Sequence, residues 1–85
     1  MEINFTDTAL EQLNYFRKTN NQDTLKRIKL LLEAITINPF TGIGKPEQLK
    51  HNYSGYWSRR ITKEHRLIYN ILNNIIFVYS VKGHY

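Results

Sequence analysis

The chain has 85 residues, no cysteine and a formal charge of +5; it is read as a single domain over residues 1–85, too small to hold much spare stability, with no disulfide framework and no thiolate metal site. No run approaches the roughly 20 apolar residues of a membrane span, and the opening MEINFTDTAL lacks an apolar stretch of signal-peptide length, so the expectation is a soluble, cytoplasmic protein with no membrane partner. Residues 1–44 carry five basic and five acidic side chains, residues 45–85 seven basic and two acidic, a lopsidedness that suits a polyanionic partner and equally a merely basic surface.

In chain order, EINF (2–5) alternates and predicts a first strand. Thr6 then offers an N-cap, with Asp7 in the first turn and a second capping box at Thr8 and Glu11. Ala9, Leu10, Leu13 and Phe16 form a helical stripe, which TNNQD (19–23) breaks. Leu25, Ile28, Leu31, Leu32 and Ile35 recur at three and four residues and predict a second helix over 23–37. Asn38-Pro39 stops it, because the residue before proline avoids the helical region. Both stripes read as core-facing.

Residues 40–55 hold three of the four glycines and one of the two prolines. They read as a loop anchored by Phe40, Ile43 and Leu49. YWSRRIT (56–62) predicts a strand, KEHR (63–66) a polar turn, RLIYNIL (66–72) a second strand of this half, Asn73-Asn74 a tight hairpin turn, and IIFVYSV (75–81) a third strand. Segregated helices and strands predict an α+β layer of order β-α-α-β-β-β, with two N-terminal helices packed on a small antiparallel sheet.

The chemistry-bearing residues cluster in the second half. Glu47 stands between Lys45 and Lys50 in a loop pinned by Pro46; it can accept a proton, although taken alone it reads as a surface glutamate relieving basic crowding. Arg66 opens a strand after a turn and can grip phosphate oxygens through paired N–H groups; the plainer reading is a strand-edge arginine facing water. Arg59 and Arg60 are adjacent in a strand and therefore point to opposite faces, so at least one serves RNA or the fold rather than the chemical step. His51, His65 and His84 are 14 and 19 residues apart and match no local metal motif. His84, at a strand exit, can protonate a leaving group near neutral pH, and Tyr85 can stack on a base or donate a hydrogen bond. With the aromatics Tyr53, Tyr56 and Trp57, the set fits metal-independent RNA cleavage, with no cofactor.

GKPEQLKHNYSGYWSRRITKEHRLIY (44–69), the NPF after the second helix and the closing GHY together resemble the YoeB/Txe family of toxins, within the RelE-like superfamily, along essentially the whole chain. The resemblance implies a RelE-like fold and a ribosome-dependent mRNA interferase that cuts message in the ribosomal A site. It implies a YefM-like antitoxin that silences the toxin, a homodimer, and contact with operator DNA only through the antitoxin complex. It puts the general base on Glu47, the transition-state arginine on Arg66, the general acid on His84, the terminal tyrosine on Tyr85 and a phosphate-side lysine on Lys50. His51, Trp57, Arg59 and Arg60 join Lys50 as expected RNA contacts. Gln48, where a proline is frequent, and Gly83, where a bulkier residue can occur, depart from the family pattern; neither is a proton-transfer residue. Two rivals stand beside this reading. One is a non-enzymatic ParE-like toxin that binds gyrase and has no need of Glu47, Arg66 and His84 together. The other is an RNA-binding module without chemistry.

Overall fold

The computed structural model describes residues 1–83. Their elements run β1 (Glu2–Phe5), α1 (Asp7–Lys18), α2 (Gln22–Ile37), β2 (Glu47–Gln48), a 3₁₀ turn (His51–Tyr53), β3 (Trp57–Arg60), β4 (Arg66–Leu72) and β5 (Ile75–Ser80). No helix among them is long and apolar enough to cross a membrane.

Local chemistry sets the boundaries. The Thr6 hydroxyl accepts the Ala9 N–H at 3.2 Å and donates to the Tyr79 carbonyl at 3.1 Å, so one side chain caps α1 and ties it to the sheet. Asn20 takes a left-handed φ of 55°, and Asn21 caps α2 by accepting the Thr24 N–H. Asn38 is extended ahead of Pro39, which ends α2 as expected. Asn73 and Asn74 both have positive φ, 51° and 63°, the pairing that a two-residue hairpin turn requires.

The strands of the described residues form one sheet in the order β1-β5-β4-β3-β2. The meander β3-β4-β5 is antiparallel, as expected. Two features depart from the predicted small antiparallel sheet. A two-residue strand, β2, pairs antiparallel with β3, and β1 pairs parallel with β5, Glu2 opposite Ile75 and Phe5 opposite Val78. The sheet is therefore mixed. Parallel neighbours need a long connection, and here it comprises both helices and the rest of the meander.

Ala9, Leu13 and Phe16 of α1 and Ile28, Leu31 and Ile35 of α2 cover one face of the sheet, which contributes Leu67, Tyr69, Ile76 and Val78. Burying each large apolar side chain is worth about 1.5–3 kcal/mol. Leu10, expected in the α1 stripe, is 44% exposed; at 100° per residue it lies beside the stripe that Ala9, Leu13 and Phe16 complete. Phe40 and Ile43, expected as buried anchors, are 52% and 45% exposed. The loop's interior anchor is a different group, the guanidinium of Arg59.

Candidate active site

Strand alternation sorts the second half into two faces. Trp57, Arg59, Leu67 and Tyr69 share the helix side, since Trp57 pairs with Tyr69 and Arg59 with Leu67. Glu47, Ser58, Arg60, Arg66 and Ile68 share the other side, through the pairs Glu47–Ser58, Ser58–Ile68 and Arg60–Arg66.

On the helix side, Arg59 is completely buried. Its Nε donates to the Tyr69 hydroxyl at 3.1 Å, Nη1 to the Ile43 carbonyl at 3.0 Å, and Nη2 to the carbonyls of Asn38 and Thr41 at 2.8 and 2.9 Å. Tyr69 donates in turn to the Pro39 carbonyl at 2.6 Å. Burial raises the Tyr69 pKa above its ordinary value despite the neighbouring guanidinium, which keeps the proton that Pro39 requires. This network stitches residues 38–43 to the sheet. The next residue, Gly44, has φ 85°, and a Cβ there would lie 2.7 Å from Leu31 Cδ2, so glycine is demanded twice over. The loop thus reaches β2 on a fixed path and presents Glu47.

Arg59 was expected to contact RNA. Its full burial and its engaged donors correct that expectation: it is an internal tie. Trp57, also expected to contact RNA, lies on the same helix side. It packs partly buried against the core, its ring 5.0 Å from that of Phe40, on the side away from Glu47.

On the open side, Lys45, Glu47, Leu49, Ser58, Arg60, Arg66 and Ile68 line a cavity of about 150 Å³. Three cations face one carboxylate there, an arrangement able to take an anionic group beside a proton acceptor. Arg66 is half-buried, and its Nη1 donates to the carbonyls of Thr62, Lys63 and His65 at 2.8, 3.3 and 3.1 Å. These bonds orient the guanidinium at the mouth of β4. Lys50 and His51 are exposed at the start of the 3₁₀ turn and do not line the cavity.

A second cleft, of about 180 Å³, shares Ile68 with the first and is lined by Tyr53, Tyr56 and Tyr79. The Tyr56 and Tyr79 rings meet edge to face at 4.9 Å, and Tyr79 donates to Asn70 Oδ1 at 2.9 Å. Burial, reinforced by Tyr56, pushes the Tyr79 pKa upward. Lys45, Ser58, Ile68 and Tyr79 were not singled out from the sequence as site residues. The signal available for Ser58 and Ile68 was their period-two spacing from Arg60 and Arg66; Tyr79 carried no comparable signal.

His84 and Tyr85 lie outside the described residues. Up to Gly83, the chain after β5 is held at every step. Gln12 of α1 accepts the Val81 N–H at 2.7 Å, the Lys82 ammonium sits 4.5 Å over the Tyr15 ring, and the Arg66 N–H donates to the Gly83 carbonyl at 2.8 Å. Among the described residues, no group of three or more His, Asp or Glu is gathered that could hold a metal ion.

Residues 5–85 match the family described as YoeB-like toxin of bacterial type II toxin-antitoxin system. The chain belongs to the YoeB family. A YoeB toxin of Synechocystis sp. is 49% identical over 85 residues, covering 100% of this chain and 98% of that one. Among solved structures, the fold superimposes on a YoeB/ParE toxin from Agrobacterium tumefaciens with a TM-score of 0.96 at 33% identity, both chains covered fully. It also matches the Staphylococcus aureus YoeB, both in a YoeB–YefM complex (TM-score 0.90, 46% identity) and as a YoeB dimer (TM-score 0.92, 45% identity), each covering 100% of this chain and 98% of the other. Family membership makes the chain a toxin of the toxin–antitoxin class, and the open face is where its basic and acidic groups converge.

Proposed function

We propose that the chain is an endoribonuclease, a ribosome-dependent mRNA interferase that cuts message in the ribosomal A site and so stops translation. The observation that carries this reading is the single cavity in which Glu47, Arg60 and Arg66 meet, with the backbone of Gly83, one residue before His84, hydrogen-bonded to Arg66.

In this reading the Glu47 carboxylate takes the proton of a ribose 2′-hydroxyl. The 2′-oxygen attacks the adjacent phosphorus, and the bond from phosphorus to the 5′-oxygen breaks. His84 delivers a proton to that leaving oxygen, so the products are a cyclic 2′,3′-phosphate and a 5′-hydroxyl. Arg66, with Arg60 and Lys45 around it, balances the negative charge that builds on the phosphate. Each proton transfer contributes about 10²–10⁴-fold in rate, and both are supplied by side chains, so the scheme uses no metal and no cofactor. DNA, lacking the 2′-hydroxyl, is not a substrate. Tyr85 and the cleft at Tyr53, Tyr56 and Tyr79 offer aromatic surface to unstacked bases; Lys50 and His51 hold phosphates outside the cavity.

The partners follow from the relatives. A YefM-like antitoxin neutralises the toxin, the toxin pairs with a second copy of itself, and operator DNA is contacted only through the antitoxin complex, all in the cytoplasm. The support is that the S. aureus relative has been solved both with YefM and as a dimer.

The test is an in vitro translation reaction with purified protein and a defined mRNA, cut sites being mapped by primer extension, beside the same mRNA without ribosomes. Cuts confined to translated message are the expected result, lost on substitution of Glu47, Arg66 or His84. Cuts at equal rate on free message overturn the ribosome requirement. An intact message with normal translation overturns the interferase and favours gyrase binding.

A further inference from the structure

His65 falls in the polar turn that the sequence predicts over residues 63–66, and the scheme above gives it no role. The structure puts its imidazole on the chain that leads to His84. Gly83 has one backbone donor and one backbone acceptor, and consecutive residues engage both: the Gly83 N–H donates to His65 Nδ1 at 2.9 Å, and the Gly83 carbonyl accepts the Arg66 N–H at 2.8 Å.

We propose that His65 is a positioning residue, its Nδ1 and the Arg66 amide forming a two-point clamp on Gly83 that fixes where the chain leaves for His84. This rests on the interferase reading and deepens it, because it assigns the alignment of the general acid to a side chain outside the acid–base pair.

Three observations support the clamp as a built feature. The turn that carries His65 is itself ordered: the Thr62 hydroxyl accepts the N–H groups of Glu64 and His65, each at 3.2 Å, and the His65 carbonyl accepts the Ile61 N–H at 3.0 Å. The ring is set from a second element, its centroid 5.1 Å from that of Phe16 in α1, edge to face, and Phe16 is buried in the core. Gly83 takes φ 76° with nothing within 4 Å of an added Cβ. Glycine there serves the backbone conformation that turns both its polar groups toward residues 65 and 66, not a lack of room.

The bond also selects one form of the ring. A nitrogen that accepts an N–H carries no proton of its own, so the clamp requires the ring form that carries its proton at Nε2. The adjacent Arg66 lines the cavity with its side chain and grips Gly83 with its main chain. The arginine that balances charge and the chain leading to the acid are therefore referenced to the same two residues. A small misplacement of a reacting group can cost about 10²-fold in rate, which is the scale on which such a clamp matters.

Two variants separate the acceptor from the bulk. His65→Asn keeps an acceptor oxygen in the place of Nδ1; His65→Leu keeps apolar bulk against Phe16 and removes the acceptor. The full chain is examined by amide hydrogen exchange and by ¹⁵N NMR of the ring, and by single-turnover cleavage of mRNA held on ribosomes. The expected result is an Nε2-protonated His65 and a protected Gly83 amide in the parent, protection lost in the leucine variant and kept in the asparagine variant. Cleavage is expected to slow about 10²-fold in the leucine variant with unchanged affinity for the ribosome, and to recover largely in the asparagine variant. An unprotected Gly83 amide in the parent, or protection surviving in the leucine variant, overturns the clamp. Full-rate cleavage by a leucine variant whose Gly83 has lost protection overturns its role in alignment. A parent that cuts no message overturns the interferase reading, and the exchange data then decide the clamp independently.

Discussion

Arg59 and Arg60 are neighbours in β3, carry the same side chain, and sit in opposite worlds. Arg59 faces the helices, has no exposed surface, and makes bonds to three main-chain carbonyls and a phenol. Arg60 faces the open side, is exposed, and lines the cavity with Glu47 and Arg66. The helix face holds its polar atoms in closed pairs: among the described residues, no buried side-chain nitrogen or oxygen lacks a partner. The open face gathers cations around a carboxylate, an arrangement costly for folding and useful for an anionic substrate. The two faces are coupled through one loop, because the carbonyls that Arg59 binds belong to the segment that delivers Glu47.

If that division is correct, substitutions on the open face lower activity without lowering stability, and substitutions on the helix face do the reverse. Beside Glu47, the largest effect is expected from Arg66→Lys, which keeps the charge but loses the planar fork: cleavage on the ribosome falls by about 10²-fold, read by single-turnover assay, with the melting temperature little changed. Next comes Arg59→Met, which leaves the carbonyls of residues 38, 41 and 43 without their donor. Unfolding in urea should show a loss of about 3 kcal/mol, on the scale of about 1–3 kcal/mol for each stranded buried group after partial relaxation. Activity per folded molecule should change far less. Tyr69→Phe removes the donor to Pro39 and an acceptor for Arg59; the loss is expected to be about 1–2 kcal/mol. The smallest effect is a pH dependence. Burial raises the Tyr69 pKa above the unfolded value near 10. The folded state therefore holds this proton more tightly, and its contribution to stability is complete below pH 10 and fades as pH climbs through the folded value. The drop in urea midpoint between pH 9 and pH 11 should be shallower in Tyr69→Phe than in the parent.

Much of the frame was legible in the sequence. The strand over residues 66–72 has the boundaries predicted for it, the Asn73-Asn74 turn uses the residues that tolerate positive φ, and Thr6 and Pro39 mark the helix ends as their chemistry dictates. All of these signals are local. What failed to show was long-range. Alternation states that Arg59 and Arg60 point apart, but the inward one is decided by carbonyls 16 to 21 residues earlier and by a phenol ten residues later. The apolar character of Phe40 and Ile43 suggested anchors, whereas the anchor came from a charged side chain that no hydropathy pattern would place inside. The parallel pairing of β1 with β5 joins segments about 70 residues apart, and nothing in EINF specifies its neighbour. For the site, Glu47 and Arg66 are marked by residue type and by resemblance, and Ser58 and Ile68 by their period-two spacing alone, while Tyr79 becomes visible only when the sheet brings the strands side by side.

The proposed mechanism puts the chemistry on the open face, with Glu47 as its base. The measurement that bears on it most directly is single-turnover cleavage of ribosome-held mRNA by Glu47→Gln, made together with the thermal unfolding of the same preparation. The carboxamide keeps the size of the side chain and abolishes its capacity to accept the proton. A fall of about 10²–10⁴-fold in the cleavage rate with an unchanged melting temperature is the predicted result. Cleavage within a few-fold of the parent would contradict that mechanism, since the one carboxylate lining the cavity would then have no part in the reaction.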